Sequence, residues 1–299
     1  MNVNPYYFGV LLVALSATGF GIMPIFAKFA YQGGADVTTL LCLRFALAGL
    51  LFFIYLKSKR ANLHVSRKHL LALFLLGGVG YTLQSISYFT AVKFIPASLV
   101  ALLLYTFPIF VTILAFLLDR EKLTKKVIGA IFLSILGLML VMGTNFGELN
   151  MIGILYACAA AVVYAGYVFF SNRVLQQVQP MVASLYISAF AALTLVMMGM
   201  STDSLQLGFE WKAWAALIGI VLISTMMSML TLFQGMKLVG STRASVISMI
   251  EPLLTIGFSA MLFGERLTMI QGLGVAAVLA GAMIVVGLQG QKSQESVGG

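Results

Sequence analysis

The chain has 299 residues, of which 61% are hydrophobic and only 9% charged, with a formal net charge of +9. Its mean hydropathy is +1.04. A soluble domain needs far more charge to cover its surface, so soluble domains are excluded as the architecture of this chain.

Apolar runs long enough to cross a bilayer recur from end to end. They predict spans near 7–29, 36–56, 70–91, 97–118 and 123–143, then near 150–171, 180–199, 213–235, 241–263 and 267–288. The expectation is an all-α polytopic membrane protein with ten transmembrane helices. The first run lacks a basic n-region and a small-residue cleavage site, so it reads as a span rather than a cleaved signal. Cys42 and Cys158 both fall in spans and read as small apolar filler, not as a disulfide or zinc site.

Arg44 lies about eight residues into the second span from its outer end, roughly 12 Å deep at 1.5 Å per residue. Three readings stand: it binds a substrate carboxylate, pairs with an intramembrane acid, or snorkels to the headgroups. In the third span, Tyr81, Gln84 and Tyr88 are spaced three and four apart and share one helical face. They offer hydroxyls, rings and an amide to a cavity, or hydrogen bonds to a neighbouring helix. Pro108 interrupts the fourth span and reads as a conformational hinge. Tyr156, Tyr164 and Tyr167 of the sixth span are candidate aromatic lining. Glu251 and Pro252 stand together near the middle of the ninth span. A mid-span carboxylate needs a partner, a wet cavity or a proton. The proline removes a backbone donor and frees a carbonyl at about the level of Ser248. Glu251 reads either as a functional cavity acid or as a packing contact.

The basic residues are distributed unevenly. Thirteen (Lys57, Lys59, Arg60, Arg67, Lys68, Arg120, Lys122, Lys125, Lys126, Arg173, Lys237, Arg243 and Lys292) fall on one face of the predicted topology. Four (Lys28, Lys93, Lys212 and Arg266) fall on the other. The positive-inside rule then places both termini in the cytoplasm of a multi-pass cytoplasmic-membrane protein. Charge used this way needs no nucleic-acid partner. Glycines such as Gly272, Gly274 and Gly281 are expected to serve helix packing. Neither a Walker motif nor a strand-linked GxGxxG is present, and no HExxH or nucleophile–base set is found. His64 and His69 sit in a basic loop. The expectation is no enzyme, no cofactor and no metal.

The sequence repeats itself. A shift of 144 residues lays Pro108 on Pro252, Glu121 on Glu265, Leu123 on Leu267 and Thr124 on Thr268. Positions 88–143 and 232–287 share eleven identities in 56 without a gap. The same shift lays Gly9 on Gly153, Tyr81 on Thr225 and Gln84 on Ser228, so both halves keep a polar spot at matching positions. Five spans per half is an odd number, so the halves insert in opposite senses, a common transporter plan. The domains read as 1–145 and 146–290, each a five-helix repeat, with a disordered cytoplasmic tail at 291–299.

The stretches SISYFTAVKFIPASLVALLLYTFPIFVTILAFLLDREKLT and LFQGMKLVGSTRASVISMIEPLLTIGFSAMLFGERLT resemble the drug/metabolite transporter superfamily, in particular its ten-span EamA-like branch. The resemblance covers essentially the whole chain. It implies an inverted-repeat bundle with a central cavity and, in most members, export of amino acids or related metabolites. Phe107 stands where the repeat would match Glu251, so any role for an acid before the proline belongs to Glu251 alone. The expected function is secondary export of small amphipathic metabolites by alternating access, with protons as a possible coupling ion. The alternatives are a non-transporting receptor or scaffold, or an uptake permease for sugars or nucleosides. The candidate cavity residues are Arg44, Tyr81, Gln84, Tyr88, Tyr164, Thr225, Ser228 and Glu251, with Pro108 and Pro252 as hinges. The lipid bilayer is the expected environment, and the expected assembly is a monomer or weak homodimer.

Overall fold

A computed structural model describes residues 5–120, 124–143, 150–265 and 267–295. Among the described residues, ten helices follow in chain order. Helix α1 runs Pro5–Gly21 and, after a break, Met23–Gln32. Next come α2 (Val37–Ser58), α3 (Arg67–Phe94) and α4, itself split into Ala97–Leu104 and Phe107–Leu118. Helices α5 (Lys125–Gly143), α6 (Met151–Leu175), α7 (Pro180–Ser201) and α8 (Trp211–Val239) follow. Helix α9 is split into Ser241–Ser248 and Glu251–Phe263, and α10 runs Met269–Glu295. Among the described residues, nine helices are long and apolar enough to cross a membrane. The 19-residue α5 packs along α10. The tail expected to be disordered from 291 is therefore helical through Glu295, because extending an existing helix avoids the cost of a new nucleus. Residues 296–299 lie outside the described residues.

Several ends are set by their own residues. The Asp36 carboxylate accepts from Thr38 N at 2.8 Å and starts α2. Asn150 Oδ1 accepts from Ile152 N and Gly153 N and starts α6. Ser66 caps α3, and its hydroxyl is 2.8 Å from Nδ1 of His69, which lies in the first helical turn rather than in the loop. Gly264 closes α9 with φ +67°, a conformation that costs glycine least.

The breaks fall at prolines. Pro24, Pro108 and Pro252 each stand in the first turn of a second helical segment. A proline there gives up no hydrogen bond of its own segment, but it cannot continue the ladder of the one before. The breaks in α4 (105–106) and α9 (249–250) are separated by 144 residues. Helices α3 and α8 are each widened to π geometry, over Leu75–Tyr81 and Leu222–Met227. A hydroxyl follows the wide turn back five residues in both: Thr82 Oγ1 donates to Gly77 O and Thr225 Oγ1 to Ile220 O, each at 2.9 Å. Single π turns of this kind are concentrated at functional sites.

The packing is reciprocal. Helix α1 packs on α8 and α9, and α6 packs on α3 and α4; α2 pairs with α7, α4 with α9, and α5 with α10. Gly9 lies against Leu238 and Val239, while Gly153 lies against Phe94 and Ile95, the same contact moved by 144 positions. Gly137 and Gly274 meet backbone to backbone between α5 and α10, and Gly281 meets Ala130 in the matching contact. Gly272 faces open space and serves no packing contact, which corrects the expectation for it. Large apolar side chains such as Met261 and Met269 are outward and exposed, whereas Arg44, Gln84, Thr225 and Ser228 are buried. Apolar groups outside and polar groups inside are the arrangement that lipid favours.

Candidate functional site

Arg44 of α2 is 2% exposed, which removes the snorkelling reading. Its Nε donates to Thr225 Oγ1 of α8 at 3.3 Å. Its guanidinium carbon lies 5.0 Å from the Phe45 ring centre and 5.3 Å from that of Phe89. The charge is thus held between aromatic faces and the hydroxyl that closes the π turn of α8. Among the described residues no ion pair joins Arg44 to Glu251, so the paired-charge reading is not what the structure shows.

Tyr88 lies within electrostatic reach of both charges, the Glu251 carboxyl and the Arg44 guanidinium. Glu251 also acts on the hydroxyls of Tyr105 and Tyr164, and it is within side-chain hydrogen-bonding reach of Tyr105. Helices α2, α3, α4, α6 and α9 therefore direct one polar group each into the same interior zone. Gln84 is buried beside Tyr88's helical face and accepts from Ser85 Oγ at 3.2 Å. Ser228 is buried against Gly19 of α1 and donates to Ile223 O at 2.9 Å.

Aromatic rings run through this zone in sequence. Phe45 meets Tyr81 edge-on at 5.4 Å, Tyr81 stacks on Tyr167 at 5.0 Å, and Tyr167 stacks on Tyr164 at 5.9 Å. Tyr164 meets Phe107 at 4.8 Å, and Phe107 meets Tyr105 at 6.1 Å. The positions 144 away from Tyr81, Tyr105 and Phe107 are Thr225, Met249 and Glu251, so the aromatic wall has no aromatic counterpart there. Tyr156 is 38% exposed and faces outward, which corrects its reading as lining.

Sequence reasoning missed Tyr105 and Lys28. The Tyr105 hydroxyl donates to Ser248 O at 3.2 Å. Pro252 cannot donate to that carbonyl, so the group freed at the break in α9 is satisfied from the break in α4. The signal available was a tyrosine three residues before Pro108, at the break itself. Lys28 is bound to Glu265 at the other site of interest, a cleft of about 180 Å³ lined by Pro96, Ser98, Leu102, Glu265 and Gln271 among others. That cleft lies among α4, α5, α9 and α10, and its lining includes Leu102 and Ile256. The described residues contain no group of three or more metal-ligating side chains.

The fold defines a polytopic α-helical membrane protein whose interior holds buried polar side chains. The model of the EamA-like transporter family matches the chain twice, over residues 7–143 and 151–287. The chain belongs to the EamA-like transporter family, a family of transporters and not of enzymes. It is 26% identical over 295 residues to an uncharacterized transporter, YcbK, of Bacillus subtilis (strain 168), covering 95% of this chain and 93% of that one. It is 29% identical over 198 residues to an uncharacterized transporter of Archaeoglobus fulgidus, covering 66% and 70% of the two chains. A solved crystal structure superposes with a TM-score of 0.67 at 15% identity, over 92% of this chain and 95% of that one, a likeness of fold.

Proposed function

We propose that the protein exports small amphipathic metabolites, amino acids or related compounds, by alternating access through the zone between Arg44 and Glu251. The observation that carries this reading is the convergence of Arg44, Tyr88, Tyr164, Thr225 and Glu251 in the bundle interior, the first two and Thr225 buried and Tyr164 and Glu251 partly exposed. Intramembrane ionisable groups are costly and mark substrate or ion pathways. In this reading Arg44 receives a substrate anion, Tyr81, Gln84, Tyr88, Tyr164, Thr225 and Ser228 line the cavity, and Glu251 is a proton-linked carboxylate. Pro108 and Pro252 serve as paired hinges.

The architecture proposed is ten spans in two inverted five-helix repeats, 1–145 and 146–290, with both termini cytoplasmic. The twofold family match and the contacts that recur at an offset of 144 support it. A cytoplasm-active reporter fused to Gly299, with a cysteine introduced at Arg266, tests the orientation: an active reporter and labelling from outside are expected.

Transport is tested in liposomes by counterflow against a metabolite panel. Exchange of at least one amphipathic compound supports the reading. No exchange across a broad panel favours a receptor or scaffold, and exchange of sugars or nucleosides alone favours an uptake permease. Glu251→Gln removes titration and keeps the amide's hydrogen bonding. Loss of gradient-driven transport with exchange retained is the expected result. Full activity of Glu251→Leu in both modes rejects the role given to Glu251.

A further inference from the structure

We propose that Tyr105 is a positioning residue that couples the protonation state of Glu251 to the fit between the helix breaks of α4 and α9. The inference rests on reading Glu251 as a proton-linked carboxylate. Pro252 has no N–H, so the Ser248 carbonyl has lost its helical donor, and the Tyr105 hydroxyl supplies the replacement at 3.2 Å. The same hydroxyl is beside the Glu251 carboxyl. A tyrosine has one hydroxyl hydrogen to give.

That single hydrogen makes the two contacts exclusive. A protonated Glu251 donates to the Tyr105 oxygen, and Tyr105 donates on to Ser248. An ionised Glu251 has only acceptors and draws the tyrosine hydrogen to itself, since bonds to a charged acceptor are the stronger ones. Ser248 is then left with a carbonyl short of its partner in a half-buried part of the bundle, which is unfavourable until α4 and α9 move apart or rearrange. No proton leaves tyrosine at any point; only the direction of its hydrogen bond changes. Met249 occupies the matching position in the other half and has no hydroxyl, so only one of the two breaks is wired this way.

The groups that face Glu251 from its neighbours are few. Helix α4 contributes Tyr105 alone between Ala97 and Leu118, α3 contributes Tyr88, and α6 contributes Tyr164. Helix α1 has no titratable side chain between Tyr7 and Lys28, and α10 has none between Met269 and Leu288. Arg44 reaches the cluster through Tyr88.

The test uses the purified full-length chain and needs no transported compound. Infrared pH-difference spectra identify the Glu251 carboxyl band as the one lost in Glu251→Gln. In Tyr105→Phe that band is expected to persist but to shift in frequency and titrate at a different pH. Leu102→Cys, in a Cys42→Ala/Cys158→Ala background, reports on the α4 segment before its break. Its labelling by a membrane-impermeant maleimide is expected to vary with pH, with the midpoint of the infrared band. Tyr105→Phe and Pro252→Ala are both expected to lose that variation. Pro252→Ala returns an amide to Ser248, so it also serves if Tyr105→Phe does not fold. A carboxyl band indifferent to Tyr105→Phe, or pH-dependent labelling that survives both variants, overturns the role of Tyr105 alone. A wild type without any titrating band overturns the reading of Glu251 and this proposal with it.

Discussion

Lys28 Nζ lies 2.7 Å from Glu265 Oε1 and ties α1 to the corner between α9 and α10. The same carboxylate accepts from Ser98 Oγ at 2.6 Å and from the amides of Ala97 and Ser98 at 3.3 and 3.5 Å. It therefore sits at the N-terminus of α4, where the helix dipole favours negative charge. Burial pushes the Glu265 carboxyl up, but the bonds from Lys28 and Ser98 outweigh it, and the net effect holds it below the ordinary carboxylate value. One acid thus closes one end of the bundle across both halves of the chain.

The pH dependence of this closure follows from the sign of the shift. A folded-state value below the unfolded one gives stability that is present above the unfolded value and is lost as pH falls through the folded value. Glu265→Gln is expected to destabilise the protein by about 1–2 kcal/mol at neutral pH, discounted for the partial exposure of the pair. The gap to wild type should close in acid, below the usual carboxylate range. Thermal unfolding in detergent across pH measures it. A gap that is the same at every pH counts against the ion pair and for simple packing.

Matching positions of the two halves of the chain are joined by different chemistry. Phe29 and Phe263 meet at 5.3 Å between ring centres, with Lys28 Nζ 4.7 Å above the Phe263 ring. The positions 144 away are Arg173 and Asp119, which form an ion pair with both partners well exposed. An exposed pair contributes about 0–1 kcal/mol and is weakened by salt. An aromatic pair contributes about 0.5–1.5 kcal/mol beyond its buried area. Asp119→Asn is therefore expected to change unfolding little and Phe263→Ala substantially more. Equal effects of the two in low salt contradict this ranking.

Helix α5 depends on backbone contact with α10. A Cβ on Gly137 would stand 2.6 Å from the Gly274 carbonyl oxygen, which is backbone and cannot swing aside. Gly137→Ala is expected to cost about 1–3 kcal/mol, the usual range for overpacking. Gly272→Ala meets nothing within 4 Å and is expected to be neutral or to stabilise by up to about 1 kcal/mol. Unfolding of the two variants from mixed micelles separates the cases. A neutral Gly137→Ala means that the α5–α10 contact is looser than described.

The sequence made some of this legible and hid the rest for physical reasons. Hydropathy located the helices, because lipid requires long apolar runs whatever their packing. Pro252 pointed to a freed carbonyl at Ser248, because the missing donor is a local covalent fact. The partner of that carbonyl was not legible: Tyr105 is 143 residues away, and its counterpart Met249 gives no polar echo. Lys28 and Glu265 are 237 residues apart, and the sequence shows the first only as a topology marker and the second only as the repeat counterpart of Glu121. Tyr156 and Tyr164 carry the same residue type two turns apart, yet one faces outward and the other inward, because helix rotation depends on neighbours and not on residue type. The π turns of α3 and α8 had no signal in apolar periodicity, since one extra residue shifts a face without changing composition.

Arg44 offers the most direct separation of a transport role from a structural one. Among the described residues its guanidinium donates from Nε to Thr225, and the guanidinium carbon lies over the Phe45 and Phe89 rings. Thr225→Ser keeps the acceptor and the bond to Ile220, so it is expected to behave as wild type. Thr225→Val removes both and should destabilise the π turn by about 1–3 kcal/mol, since it leaves a buried carbonyl and a buried guanidinium nitrogen short of a partner. Arg44→Lys keeps the charge but not the planar fork. For a carboxylate-bearing compound found in counterflow, Arg44→Lys is expected to raise KM by about tenfold, equivalent to about 1.4 kcal/mol, while unfolding changes little. For a compound without an anionic group the same variant should leave KM unaltered. If Arg44→Lys and Arg44→Gln lower stability but move KM for neither compound, Arg44 is a packing cation between α2 and α8, and the anion site must be sought among the other buried polar groups.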